Sequence, residues 1–98
     1  MSVHHILFTR KNWNKGFAHK LRKLFIYELP DDIHSALHAS VPPVPRISEP
    51  EALILWTEAK KEGRIDNIYG ALEWLIFHAP TTEFQNAIKE QYDFLDEV

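Results

Sequence analysis

Residues 48–95 read SEPEALILWTEAKKEGRIDNIYGALEWLIFHAPTTEFQNAIKEQYDFL, and this stretch decides the fold. It divides into three helices with marked ends. Ser48-Glu49-Pro50-Glu51 is a capping box, and Ala52, Leu55, Trp56 and Ala59 follow it at helical spacing. Gly63 stops that helix. Asp66 is the expected cap of the next, which carries Ile68, Leu72, Leu75 and Ile76 as far as Pro80. Thr82-Glu83-Phe84-Gln85 is a second capping box, leading into Phe84, Ala87, Ile88, Gln91 and Leu95 as a mostly apolar stripe. Connections of three to four residues imply antiparallel packing of the three helices.

Working outward, the stretch is preceded by Val41-Pro42-Pro43-Val44-Pro45. Three prolines in this space exclude helix and predict an extended, polyproline-like connector. It divides one domain, residues 1–98, into an N-terminal subregion 1–40, a connector 41–47 and a helical region 48–98. The connector reads as a hinge, because neither side is large enough to stand alone comfortably. Before it, Pro30-Asp31-Asp32 opens a helix to about Ser40, capped by Asp31 or Asp32, with Ile33, Ala36 and Leu37 on its apolar side. Residues 25–29 fit either a helical continuation or a short strand. Asn12 is a plausible cap for a helix carrying Trp13, Phe17, Leu21, Leu24 and Phe25, weakened at Gly16. Residues 3–9 are β-branched and aromatic enough for a short strand. The expected class is mainly α: four to five helices with at most two short N-terminal strands.

Composition narrows the function. The chain has 98 residues, of which 45% are hydrophobic, and no cysteine. That excludes disulfide scaffolds, cysteine–zinc sites, iron–sulfur clusters and thiol catalysis. No hydrophobic run reaches the about 20 residues of a membrane span or the about 7–15 of a signal segment. The expectation is therefore a cytoplasmic protein without a membrane partner. The net charge of −3 hides two opposite ends. Residues 1–27 hold six Lys/Arg and no acid, whereas residues 83–98 hold five acids and one lysine. There is no Ser-His-Asp constellation, phosphate-cradling glycine loop or nucleotide fingerprint.

Six histidines carry the remaining signal: 4, 5, 19, 34, 38 and 78. His34 and His38 are four apart on a predicted helix, so both rings project to one side and can ligate one metal ion. His4 and His5 are adjacent on a predicted strand and point to opposite faces. One ring can then face a metal while the other faces a substrate. His19 belongs to the basic face of its helix, and His78 sits where a helix C-terminus favours a partial positive charge.

His4-His5-Ile6, followed by Leu29-Pro30-Asp31-Asp32-Ile33-His34-Ser35-Ala36-Leu37-His38, resembles the ββα-metal, or HNH, nuclease pattern. The resemblance covers residues 4–38 and implies two strands and a helix around one divalent ion, with Zn, Mn, Ni and Mg as the candidates. It implies His4 as a metal ligand and His5 as the general base. It implies that His34, His38 or both complete the metal site. Tyr27-Glu28-Leu29 stands where the family has an asparagine that orients the catalytic histidine.

Nucleic acid is the partner this reading expects. Lys15, Arg22 and Lys23 lie on the polar side of the first predicted helix and Lys11 just before its cap, and each can contact a phosphate without regard to sequence. Trp13 can stack on a base if exposed, but its place in the apolar stripe favours the core. A rival reading is a helical interaction or dimerisation module without catalysis. It would use Trp56, Tyr69, Trp74 and Tyr92, with Glu90, Asp93, Asp96 and Glu97 facing a basic partner or the basic end of a second copy.

Overall fold

The computed structural model describes residues 1–7 and 24–98. Within them the chain forms β1 (Ser2–His5), β2 (Ile26–Leu29), α1 (Asp31–Ser40), α2 (Glu49–Lys61), α3 (Ile68–Phe77) and α4 (Thr82–Glu97). The fold is a small, mainly α domain with two short antiparallel strands at its N-terminal end. The predicted helix after Asn12 lies outside the described residues.

The strand predicted over residues 3–9 is shorter where it is described. β1 pairs with β2 only from Ser2↔Leu29 to His5↔Ile26, and Ile6 and Leu7 bend away into the core. The open choice at residues 25–29 resolves to strand. Phe25 takes φ 54°, a left-handed conformation, with its ring buried in the core. That conformation costs a β-carbon-bearing residue roughly 1–2 kcal/mol and breaks any helix running through it. The Phe25 carbonyl accepts from Ile6 N at 3.2 Å, so the chain turns at this point into the ladder.

Helix ends follow capping chemistry, in places one residue away from the expected position. Ser48 caps α2: its Oγ accepts from Glu51 N at 3.3 Å and donates to Glu51 Oε1 at 3.0 Å. Gly63 closes the helix at φ 68° in a Schellman turn, with Gly63 N on Lys60 O and Arg64 N on Ala59 O. α3 is capped by Asn67, not Asp66, because the side-chain oxygen must reach the amide three residues on, here Gly70 N at 2.8 Å. For the same reason α4 is capped by Thr81, whose Oγ1 accepts from Phe84 N at 3.1 Å. Neither Asp31 nor Asp32 caps α1. Pro30 holds that position with no side-chain cap, and both acids lie in the first turn, where they face the positive end of the helix dipole.

One apolar cluster joins β2 and the four helices, and Ile6 and Leu7 enter it directly after β1. α3 and α4 pack most extensively, through Ala71, Leu72, Leu75, Phe84, Ala87 and Ile88. The connector is anchored by Val44, buried in the same core, with Val41 and Ile47 packed against it. α1 is held by Leu37, fully buried, and rests on both β1 and α4. Tyr27 on β2 donates to the Ile65 carbonyl at 2.8 Å, tying the sheet to the turn before α3. Burial pushes that phenol up to about 12.

Candidate metal centre

The pairing of β1 with β2 places residues 2 and 4 on the face toward α1. Ser2 Oγ donates to Asp31 at the start of α1, and the His4 ring lies over the middle of that helix. There it meets His34 and His38, one helical turn apart on the same side. The three rings meet edge to face, with centroids 5.3 Å (His4–His34), 5.5 Å (His4–His38) and 4.5 Å (His34–His38) apart. Each ring offers one nitrogen to a group whose members lie within 4.8 Å of one another. The Nε2 atoms of His34 and His38 are 2.9 Å apart.

The environments of the three rings are graded. His4 is 2% exposed, His34 half-buried and His38 open to solvent. Burial lowers the His4 pKa to about 4, against a hydrogen bond to Gln91 that raises it, with the neighbouring histidines adding further depression. His34 is lowered as well, chiefly by burial and then by His38. Both rings are therefore neutral near pH 7, the form that ligates metals.

The donor set fits a divalent ion of the zinc type. Three nitrogens at about 2.0–2.1 Å from one ion sit about 3–3.5 Å apart; the His34–His38 pair lies at 2.9 Å, and the three ligand atoms lie within 4.8 Å of one another. One atom also calls for a ligand. His4 Nδ1 is buried without a hydrogen-bond partner, in a structure where the other ring nitrogen has one. Such an atom costs about 1–3 kcal/mol unless something occupies its lone pair or takes its proton.

A cleft of about 90 Å³ opens beside the cluster, lined by residues that include His5, His38, Gln91 and Pro43. His5 therefore borders the same space as His4, although it leaves the strand on the other face. Gln91 was not singled out as a site residue from sequence. The signal available was a polar residue within the apolar stripe of the last helix.

Lys11, Lys15, Arg22 and Lys23 lie outside the described residues, as do Trp13 and His19. His78 ends α3, its Nδ1 2.9 Å from Trp74 O and its ring stacked on Trp74 at 4.0 Å. It stands apart from the histidine cluster. Trp74 is 4% exposed and belongs to the core, so it offers no free face to a partner. No protein-family model, curated protein or solved structure matches the chain. Among the described residues no helix is long and apolar enough to cross a membrane.

Proposed function

We propose that the protein is a small metal-dependent nuclease-like protein of the cytoplasm, with His4, His34 and His38 holding one divalent ion. The observation that carries this reading is the convergence of three histidines from β1 and α1 around one point, beside a cleft bordered by His5. The order β1, β2, α1 adds support, being the arrangement that the HNH resemblance implies.

The chemistry is coherent with that substrate class. Three neutral imidazoles leave the charge of a bound cation undiminished, which favours an anionic ligand such as a phosphodiester. A divalent ion held there would stabilise charge on the phosphate and on the leaving oxygen. His5 would take the proton of the attacking water as general base. The cleft would admit a phosphoryl group rather than a base, leaving sequence unread. Lys11, Lys15, Arg22 and Lys23 would hold the polyanion by salt-dependent phosphate contacts.

The test is a nuclease assay with added Zn²⁺, Mn²⁺, Ni²⁺ or Mg²⁺, comparing wild type with His5→Ala. Cleavage should fall by about 10²–10⁴-fold while folding persists. Binding to DNA or RNA should weaken as salt rises, and Lys15→Glu with Arg22→Glu should abolish it. Absence of cleavage with every metal sinks the nuclease reading.

One observation favours the rival, a helical interaction module. Phe77 is 84% exposed and Ile54 63% exposed, and both border a cleft of about 320 Å³ between α2 and α3. Exposed aromatic and aliphatic side chains at one edge mark a surface for another protein or a second copy. Sedimentation of Phe77→Ser tests it: self-association lost in the variant supports this reading, and an unchanged monomer sinks the homodimer.

A further inference from the structure

α4 presents Phe84, Ala87, Ile88, Gln91 and Leu95 inward. Four are apolar; Gln91 is the exception, and it is 4% exposed. A buried amide at such a position destabilises the fold unless it is hydrogen-bonded. Its Oε1 lies 3.0 Å from His4 Nε2, 87 residues away in sequence.

The direction of this bond is fixed by its chemistry. An amide oxygen only accepts, so His4 Nε2 must carry the proton. A neutral imidazole has one N–H, so His4 Nδ1 then holds a bare lone pair. Nδ1 is also the buried atom that has no partner. The acceptor at Nε2 thus selects the tautomer, and the orphaned Nδ1 is the nitrogen it leaves with a lone pair for a ligand.

We propose that Gln91 is a positioning residue for the metal centre: it accepts the His4 Nε2 proton and so presents Nδ1 as the ligand atom. The proposal rests on the metal-binding reading above. Ligand histidines commonly donate their second N–H to an oxygen that fixes ring and tautomer. Here the oxygen is delivered by the C-terminal helix, while all three candidate ligands come from residues 4–38. α4 is itself a firm support. Thr81 caps its start, Gln85 Nε2 donates to Ile76 O at 2.8 Å, and Tyr69 donates to Leu95 O at 2.9 Å, one turn beyond Gln91. Residues 48–98 then complete a site whose ligands they do not contain.

The experiment has two arms on the full chain. In the first, nitrogen-15 NMR of the metal-free wild type reads the His4 tautomer. The expected result is protonated Nε2 and bare Nδ1; a protonated Nδ1 overturns the proposal whatever the metal does. In the second, Zn²⁺ is titrated into wild type, Gln91→Leu and Gln91→Glu. Gln91→Leu should weaken binding by about 10–100-fold. Gln91→Glu, which keeps an acceptor at the same place, should restore affinity to within a few-fold of wild type. Equal affinity in Gln91→Leu and wild type overturns the positioning role and leaves the metal site standing. No Zn²⁺ binding by wild type overturns the metal reading itself. If Gln91→Leu does not fold, Gln91→Glu and the wild-type tautomer decide.

Discussion

The α3–α4 hairpin and the β1–β2–α1 corner use their polar groups differently. In the hairpin, polar side chains serve the fold. Asn67 and Thr81 cap helices, Gln85 and Tyr69 satisfy carbonyls, and Glu73 accepts from both Arg64 and Tyr92. In the corner, two imidazole nitrogens face each other at 2.9 Å, and a third ring buries a nitrogen with no partner. Hydrogen-bonded polar groups stabilise a structure; clustered and unsatisfied ones point to a ligand. The two regions meet at Gln91, a hairpin residue engaged with the corner.

Core damage in the hairpin should give the largest loss of stability. Phe84 is fully buried, and Phe84→Ala should reduce the unfolding free energy by about 3–5 kcal/mol, measured by denaturant titration. A loss under 1 kcal/mol would show that the hairpin is not the stabilising half.

The next effect belongs to the corner and depends on pH. An unfolded His4 takes up its proton near 6.5, whereas the folded one does so near 4. Between these values the unfolded chain binds more protons, so stability falls as pH drops from 6.5 to 4. The fall for the metal-free protein should be about 3 kcal/mol, to which His34 adds in the same direction. His4→Leu should remove most of it. A stability profile flat over this range would contradict the buried, neutral state of His4.

The capping residues sharpen the contrast. Thr81→Ala should cost about 1 kcal/mol and leave Zn²⁺ affinity unchanged, because the cap acts on the first turn of α4 and Gln91 lies further along the helix, held by its own contacts. A parallel loss of affinity would mean that α4 transmits disorder into the corner.

These contrasts bear on what sequence could reveal. Helices α2 to α4 were readable because cap, apolar period and stop signal agreed, as at Ser48, Ala52 and Gly63. Cap positions slipped by one at Asp66/Asn67 and Thr81/Thr82, where adjacent residues have equal capping chemistry. Residues 25–29 stayed open because the turn depends on a phenylalanine in the left-handed region, stabilised by tertiary burial. The His34/His38 pair followed from helical spacing alone. Its meeting with His4 depends on strand register, and the contact of His4 with Gln91 depends on packing between chain ends, which no local pattern encodes.

The most direct measurement of the central claim is calorimetric titration of Zn²⁺ into metal-free wild type and the His34→Ala, His38→Ala double variant. The proposed metal centre predicts one ion per chain in wild type and at least about 100-fold weaker binding in the variant, with the fold retained. No binding in the wild type, or equal binding in the two proteins, would contradict it.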